Sequence, residues 1–566
     1  MSRKKGKQHR KHKPRGLPRT PAVNLEEIAA IVERTKAMLS AQDHEKLKAA
    51  INTLASSLEI VTELIAQLHS KEISVERLRR MVFGSRTEKT EAVLARADPD
   101  STPPSTPTQP PEEPPDPDPK PGHGRFGAAA YAGAEQISVP HPTLHGGEAC
   151  PACEKGKVYR LAEPATRVRI TGMAPLGARV YACDRLRCNL CGEVYTADSP
   201  PGVGEQKYDA SASSMVGLLK YGTRTPFNRI EKLQEAMRIP MPAATQWELV
   251  ERAAPDLAPA HEELIRQGAQ AEVVYNDDTT MKVLQLTREQ RAAALGEDAD
   301  EQRTGVFTSG IVATAQGHQI ALFFTGVRHA GENLAEVLKR RAAELPAPIQ
   351  MCDGLSSNTA GDFESVLAGC NAHARRRYTE VAESFPQEVR FVLETLREVY
   401  KTDARARALG LSPKERLELH QHESAPRMKA LEEWMPAQFE QRLVEPNSTL
   451  GEAIRYMQKH WDPLTLFLRK EGAPLDNNIT ERALKKAILH RKNALFYKTL
   501  NGARVGDIFM GLIYTAELNG VAPFDYLVAL QRHAKQVNES PGEWMPWNYQ
   551  QTLARQNAGP DPPPQG

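Results

Sequence analysis

The chain has 566 residues, with 73 Lys and Arg against 71 Asp and Glu, and it contains seven Cys. This length predicts several domains, and the absence of an apolar run of about 18 residues excludes a membrane-spanning helix. Seven Cys are too few for a disulfide scaffold of this size, and the basic N-terminus lacks the apolar stretch of a secretory signal. The net charge of +2 excludes nothing, because a near-zero sum hides local differences along the chain.

The N-terminal part is predicted to be a basic tail followed by a coiled coil. Residues 1–19 carry nine Lys and Arg and no acid, so residues 1–23 are interpreted as a disordered tail, either simply solvated or in contact with DNA phosphates. Residues 24–95 have a helical pattern, in which apolar residues recur at the alternating steps of four and three that mark a heptad seam. A helix packed on its own domain gives a similar pattern, but the narrow seam favours a self-associating coiled coil. The seam comprises Leu47, Ile51, Leu54, Leu58, Val61, Ile65 and Leu68.

Two C-x-x-C pairs within residues 136–200 predict a structural zinc ribbon. An extended linker precedes them over residues 96–135, where eleven Pro lie between Pro99 and Pro121 and donate no backbone hydrogen bonds. Each pair can bring two thiolates within about 2.3 Å of one Zn²⁺, and two pairs complete a tetrahedral site with no open position for water. Two unrelated thiol pairs are the alternative, and Cys183 fits the spacing less well. The predicted zinc ligands are Cys150, Cys153, Cys188 and Cys191.

The rest of the chain is predicted to combine helices and strands. Residues 201–268 read as helical, with a break at Pro240-Met241-Pro242, and a helical pair beside a zinc ribbon is a common DNA-docking arrangement. Three strands, a helix and a fourth strand follow, an order that predicts an α/β or mixed sheet. Residues 372–470 then show an almost wholly helical pattern. The strands are predicted at Val273–Tyr275, Val306–Ala313, Gln319–Thr325 and Ile349–Cys352, and the helix at Glu332–Glu344.

Acidic residues stand where a catalytic metal site would need them. Asp277 and Asp278 end the first predicted strand, and Asp353 ends the fourth. Glu481 lies just inside a helix that is predicted to begin within residues 474–478, where an Asp or Asn side chain can cap it. Acids at the ends of neighbouring strands point into one crevice, and oxygen ligands without His or Cys suit Mg²⁺ or Mn²⁺. Two such ions would support in-line phosphoryl transfer. Each acid alone is more simply a turn or cap residue, so the prediction depends on the set.

Basic residues follow Glu481 along the same predicted helix. A surface helix more often alternates its charges, so this basic cluster is interpreted as a surface that faces DNA phosphates. Lys485 lies one helical turn from Glu481 and on the same face. The basic cluster comprises Arg482, Lys485, Lys486, Arg491 and Lys492.

These motifs resemble those of the insertion sequence 66 family of bacterial transposases, in the family's order and over nearly the whole chain. The motif around the third acid is the most specific. Thr280 stands where the family usually has Pro, and Asn371 where it usually has a large aromatic residue, but neither change removes an acid. The matching segments are 83–89, 122–125, the four Cys, 221–229, Asn276–Thr280, Asp353-Gly354, 369–376, 475–482, 491–493 and 518–527.

The resemblance implies a multidomain α+β protein. Its parts would be the N-terminal coiled coil, the zinc ribbon, the helical DNA-binding segment and a ribonuclease-H-like α/β catalytic core of the DDE type. The core would comprise residues 269–371 and 471–517, interrupted by a helical insertion over residues 372–470. Residues 518–566 would form a C-terminal segment and tail. The Cys-x-x-His segment at 370–373 has no second pair to complete a zinc site, so its implied role is to support the core.

The resemblance also assigns the acids. It selects Asp277, rather than Asp278, to act with Asp353 and Glu481 as the catalytic residues that hold Mg²⁺ or Mn²⁺. The helical insertion accounts for the 128 positions between Asp353 and Glu481.

The implied function is DNA transposition. The protein would bind the terminal inverted repeats of its own element, cleave to expose 3′-hydroxyl ends and join them to target DNA. The coiled coil would pair protomers so that two ends meet, with companion proteins of the element as further candidate partners, in the bacterial cytoplasm at the nucleoid and not at a membrane. The alternative is a non-catalytic zinc-containing DNA-binding regulator derived from a transposase, which would lose a metal ligand. The presence of all three acids argues against this alternative.

Overall fold

The computed structural model describes nearly all of the chain from residue 206 to residue 557, together with short stretches before it. The predicted basic tail, the heptad seam, residues 98–137 and the four predicted zinc ligands Cys150, Cys153, Cys188 and Cys191 lie outside the described residues. The described residues are 90–97, 138, 142–143, 145–149, 151–152, 155–159, 174–187, 194–198, 200–201, 206–295, 304–361 and 363–557.

Helices make up most of the described part of the chain. Within it, no helix is both long and apolar enough to cross a membrane. One turn of π-helix, Leu218–Gly222, directly follows the second helix. The α-helices are α1 (Thr90–Ala97), α2 (Ala210–Gly217), α3 (Phe227–Ala236), α4 (Ala243–Ala269), α5 (Arg288–Leu295), α6 (Ala330–Leu338), α7 (Asn371–Val381), α8 (Pro386–Ala408), α9 (Pro413–Glu423), α10 (Ala425–Glu440), α11 (Thr449–Lys459), α12 (Trp461–Leu464), α13 (Asn478–Ala494), α14 (Leu500–Leu518), α15 (Pro523–Arg532), α16 (Ala534–Glu539) and α17 (Tyr549–Asn557).

A small hairpin precedes the main body of the structure. Its strands, β1 (Arg185–Arg187) and β2 (Val194–Thr196), pair antiparallel. They flank residues 188–193, which lie outside the described residues and include two of the predicted zinc ligands. The zinc ribbon therefore stays a prediction.

Five strands form the central mixed sheet. β3, β4 and β5 pair antiparallel, whereas β6 runs parallel to β3, and β7 runs parallel to β6. The order across the sheet is β5-β4-β3-β6-β7. The predicted mixed sheet is confirmed, with β7 as a strand that the sequence pattern did not predict. The strands are β3 (Val273–Thr280), β4 (Phe307–Ala315), β5 (His318–Gly326), β6 (Ile349–Cys352) and β7 (Val366–Gly369).

Two predicted boundaries near the acids are wrong. β3 does not end before Asp277 but continues to Thr280, because β4 pairs with it along its whole length while the pairing with β6 stops at Tyr275. The helix predicted over Glu332–Glu344 is α6, which begins two residues earlier and ends at Leu338. Asp277 therefore lies within β3, at a position where β4 still pairs with the strand on one side and β6 no longer pairs with it on the other.

Two apolar cores hold the helices to the sheet. The first lies between β3–β5 and helices that include α4 and α14, and nearly every residue of α14 from Gly502 to Ala516 is buried. The second joins β6 and β7 to helices α7, α8, α10 and α11. Val93 and Leu94 of α1 are buried in this second core. The helical region after β7 therefore has its own core, continuous with one edge of the sheet.

One buried residue joins the two ends of that helical region. Asn371, the first residue of α7, donates its backbone N–H to the carbonyl of Leu475 at 3.0 Å. Its side-chain amide donates to the carbonyls of Leu464, at 2.9 Å, and Leu475, at 3.2 Å. A large aromatic side chain could not donate both of the side-chain bonds, so the amide of Asn371 has a structural role of its own at this position.

Candidate active site

Two of the predicted acids lie side by side at the same edge of the sheet. β3 and β6 are parallel, and Tyr275 is paired with Met351. Asp277 lies two residues after Tyr275, and Asp353 lies two residues after Met351. Side chains two residues apart share a face of a strand, so the common register directs both acids to one side.

A single side-chain amide contacts both carboxylates. The Nδ2 atom of Asn358 lies 2.6 Å from Oδ1 of Asp353 and 3.2 Å from Oδ1 of Asp277. Asn358 is buried, and its backbone carbonyl accepts hydrogen bonds from Asn276 Nδ2 at 2.6 Å and Gln350 Nε2 at 2.7 Å. These buried amides hold the turn after Asp353 against the strands. Sequence reasoning missed Asn358, since nothing in Ser-Ser-Asn marks it as more than a turn residue.

The surroundings of Asp277 disfavour its charged form. Burial and the nearby carboxylates of Asp353, Asp278 and Glu481 raise its pKa to about 7, against a hydrogen bond from the backbone N–H of Asp278 that lowers it. The proximity of Asp353 is the largest of the charge effects. Neighbouring carboxylates repel one another, and a positive charge close to them would relieve that repulsion.

Asp277→Asn should therefore stabilise the fold when divalent cations are removed with EDTA. The raised pKa means that folding costs free energy once the group is ionised, so the cost grows as pH rises from about 4 towards 7 and is complete above it. The amide can accept the same hydrogen bonds, and the gain at pH 8 should reach at most about 4 kcal/mol. Urea unfolding of both proteins across this pH range measures it. A gain that does not shrink towards pH 4 would contradict the electrostatic origin.

The side chain of Asp278 is directed away from Asp353 and binds elsewhere, although its charge still contributes to the raised pKa of Asp277. It lies on the opposite face of β3, as alternation along a strand requires. Its Oδ2 atom is 2.8 Å from Nδ1 of His329 and 3.4 Å from the backbone N of Ala330, at the start of α6. The geometry thus separates the two neighbouring acids, and Asp277 is the one that lies with Asp353.

Helix α13 brings Glu481 to the same face of the sheet. Gly310 of β4 is paired with Asp277, and a Cβ atom at this glycine would lie 2.9 Å from Cδ2 of Leu484. The missing side chain lets α13 pack directly on the strands beside Asp277. Asn477, just before the helix, donates from Nδ2 to the carbonyl of Asn276 at 3.0 Å. Glu481 follows within the first turn and contributes to the raised pKa of Asp277.

The Cys-x-x-His segment supports the start of α13. Cys370 is buried, and its sulfur accepts a hydrogen bond from the backbone N–H of Asn477 at 3.2 Å. His373, one turn into α7, places its Nε2 atom 3.6 Å from Oε1 of Glu481. Cys370 therefore contacts the segment that carries the third acid, while His373 contacts the acid itself. The contact to Glu481 is not evident from the spacing of the motif.

The three acids offer only oxygen atoms, the donors that Mg²⁺ and Mn²⁺ prefer. In the part of the chain that the structure describes, no group of three or more His, Cys, Asp or Glu side chains is already arranged as a metal site. The contacts explain this: the amide of Asn358 stands between Asp277 and Asp353, and Glu481 faces His373. The mutual repulsion of the carboxylates is the property that a cation would relieve, so the donor set fits a hard divalent ion.

The basic cluster on α13 is divided between paired and exposed residues. Lys486 forms an ion pair with Glu517, and Arg491 donates to the backbone and hydroxyl oxygens of Thr280. The others, Arg482, Lys485 and Lys492, are exposed. Of the five residues of the basic cluster, these three are the ones that the described structure leaves exposed and without an ion pair.

The family comparison covers this arrangement. A sequence profile described as "Transposase IS66 family" matches residues 206–505, more than half of the chain. The chain belongs to the IS66 family of transposases. The matched residues of this transposase include the whole central sheet, α13 and all three acids, whereas residues 1–205 lie before the match.

Similar proteins of Sinorhizobium fredii are named as uncharacterized. The transposase is 24% identical to the uncharacterized protein y4jD over 531 residues, which cover 88% of this chain and 97% of the relative. It is 24% identical to the uncharacterized protein y4hP over 74% of this chain and 76% of the relative. A third, y4qI, is 31% identical over 38% of this chain and 41% of the relative. The similarity to y4jD extends well beyond the matched family region.

Proposed function

We propose that this transposase is catalytically active and carries out DNA cleavage and strand transfer with a DDE-type, two-metal site. Asp277, Asp353 and Glu481 are its catalytic acids. The single observation that carries the proposal is the convergence of Asp277 and Asp353 on one nitrogen atom of Asn358, with the helix of Glu481 packed beside them.

The order of the sheet supports a ribonuclease-H-like core. Three antiparallel strands are followed, after a helix, by two strands parallel to the first. This is the order in which the resemblance to the family places the acids: one on the central β3, one after the adjacent β6, and one on a helix that follows an insertion. Asp277 and Asp353 share a contact at one edge of the sheet, and the charge of Glu481 is close enough to raise the pKa of Asp277.

The acids would hold Mg²⁺ or Mn²⁺, which when bound supplies Lewis-acid stabilisation and an activated water or 3′-hydroxyl for phosphoryl transfer. Asn358 positions the carboxylates of Asp277 and Asp353 and keeps their spacing fixed by its own buried hydrogen bonds. Arg482, next to Glu481 on α13, and Lys485, one helical turn further on, are exposed and contact the phosphates of the bound strand.

The remaining parts of the proposal concern DNA recognition and assembly. The four predicted zinc thiolates, with helices α2 to α4, recognise the ends of the element, and the N-terminal coiled coil joins protomers so that two ends are held together. Companion proteins of the element are candidate partners. Support comes from the sequence motifs and from the helices observed over residues 210–269.

The test is a reaction of the full-length protein with a labelled duplex that carries the inverted repeat found beside its gene. With Mg²⁺ or Mn²⁺ we expect cleaved ends and joined products. Neither product should form when EDTA is added or when the duplex carries a scrambled end. Binding of the repeat without any product, in either metal, would contradict the proposal. That outcome would favour the alternative, a non-catalytic DNA-binding regulator.

A further inference from the structure

An aromatic cavity lies at the far end of α13 from the acids. It has a volume of about 540 Å³ and opens between the π-helical turn, α3, α4 and the segment that follows α13. The thirteen-residue distance along α13 from Glu481 to Ala494 corresponds to about 20 Å. The aromatic residues of its lining are Tyr221, Phe227, Trp247, Phe496 and Tyr497.

The cavity contains a buried cation that has no counter-charge. Lys220 is only 8% exposed, and its Nζ atom lies 4.7 Å from the centre of the Phe227 ring. Among the described residues it forms no ion pair, and burial lowers its pKa to about 8. The acid of the lining, Glu251, instead accepts a hydrogen bond from Nδ2 of Asn501 at 2.6 Å. A buried ammonium without a partner is costly, and an anionic ligand would remove that cost.

Irregular backbone on two sides of the cavity presents these groups. Lys220 and Tyr221 lie in the turn of π-helix, a feature that often occurs at functional sites. On the other side, Leu495 has a φ of +69°, a strained value for a residue that is not glycine. This sharp turn ends α13 and leaves Phe496 40% exposed at the cavity.

Polar groups beneath the cavity also lack partners. The hydroxyl of Tyr497 and both ring nitrogens of His490 are buried without a hydrogen bond in the described part of the structure. The two rings stack with their centres 4.8 Å apart. These atoms are buried and belong to the packing next to the cavity. The cavity itself offers stacking surfaces and a positive charge, a combination suited to an aromatic ligand that carries a negative charge.

We propose that this cavity binds one unpaired nucleotide of a DNA strand, with its base stacked against Phe496 and Trp247 and its phosphate at Lys220. Base stacking on aromatic side chains and phosphate contact by lysine are the two general means of holding single-stranded DNA. A strand that crosses the acids and continues along α13 reaches the cavity with its unpaired part. The inference rests on the proposed action on DNA, but not on the chemistry of the acids.

Fluorescence anisotropy of the full-length protein in EDTA tests this binding. The probes are a blunt mixed-sequence duplex and the same duplex with a single-stranded 3′ overhang. The wild type should prefer the overhang, and Phe496→Ala and Lys220→Met should each weaken overhang binding about tenfold while blunt-duplex binding stays unchanged. Phe391→Ala, which removes another exposed phenylalanine, and Lys414→Met, which removes an exposed lysine, should keep the preference.

Several outcomes would overturn the inference. These are the absence of an overhang preference in the wild type, unchanged overhang binding in both cavity variants, and equal losses for both duplexes. Displacement of the overhang duplex by a deoxynucleoside monophosphate, at duplex concentrations that saturate the protein, would show that the cavity binds free nucleotides instead. Since no metal is present, a protein that cuts no DNA but prefers the overhang keeps this inference and loses the catalytic proposal. A protein that joins DNA but shows no overhang preference keeps the catalytic proposal and loses this inference.

Discussion

Replacing Asp353 with Asn should reduce DNA cleavage and strand transfer by at least about a thousandfold, since a lost catalytic-metal ligand removes several kcal/mol of transition-state stabilisation. Asparagine retains the shape of the side chain and an acceptor for Asn358 Nδ2, so the fold should survive. Asp277→Asn and Glu481→Gln should have effects of the same size, because in the proposed mechanism the three acids act as one unit. Product formation from a labelled element end, measured at saturating Mg²⁺, gives the comparison.

The matched control for these changes is Glu364→Gln. Glu364 is an exposed acid in the same stretch of chain as Asp353 but belongs to neither the carboxylate cluster nor the basic cluster. Its neutralisation should leave the rate unchanged. Full activity in any one of the three acid variants would contradict the proposed mechanism, and a similar loss in the control would indicate a general effect of charge.

Gly331→Ala should be the most damaging single-methyl change near the site, lowering the free energy of unfolding by about 3 kcal/mol. A Cβ atom at Gly331 would lie 1.9 Å from the backbone oxygen of Thr359 and 2.8 Å from that of Ser357. Backbone cannot rotate away as a side chain can, so α6 and the turn that carries Asn358 must separate. The variant should lose activity as well as stability, because Asn358 then leaves the carboxylates.

Urea unfolding of Gly331→Ala measures the loss of stability, and Gly326→Ala provides the control. A Cβ atom at Gly326, at the end of β5, would have no neighbour within 4 Å. That change should alter the free energy of unfolding by less than about 0.5 kcal/mol. Equal stability of the two variants would show that the turn is free to adjust.

The sheet could be predicted because its signals are local. Continuous apolar runs marked β4 and β5, and the short strand before Asp353 read as buried from its composition. The boundary of β3 could not be predicted in the same way. Asn276, Asp277 and Asp278 are residue types that are depleted in strands, and only the pairing with β4 keeps the strand going through them to Thr280.

The choice between Asp277 and Asp278 also depended on tertiary structure. Adjacent residues of a strand point to opposite faces, so one acid had to be excluded, but the sequence alone does not say which face meets Asp353. The family resemblance selected Asp277, and the parallel register of β3 and β6 provides the physical reason. Asn358 lay beyond prediction because its role depends on two acids that are 76 positions apart along the chain and meet only in the fold.

The charge pattern after Glu481 was only a partial guide to the surface. A run of five basic residues suggests a uniform phosphate-facing patch, but helical geometry distributes them around the axis. Lys486 meets Glu517 and Arg491 meets the end of β3, so these two are engaged within the protein. Only contacts from distant segments could reveal this division.

The hydrogen bonds of Asn371 give the long insertion an unexpected independence. The chain leaves the sheet after β7, builds a helical region with its own core, and returns at Leu475, where the same asparagine receives it. The first residue of the helical region is thus hydrogen-bonded to the residue at which the chain returns to the sheet. The position of Glu481, just after Leu475, therefore does not depend directly on how many residues lie between Asn371 and Leu475. We expect that the length of the enclosed helices beyond α7 can change without moving Glu481, whereas α7 must be kept because its His373 contacts that acid.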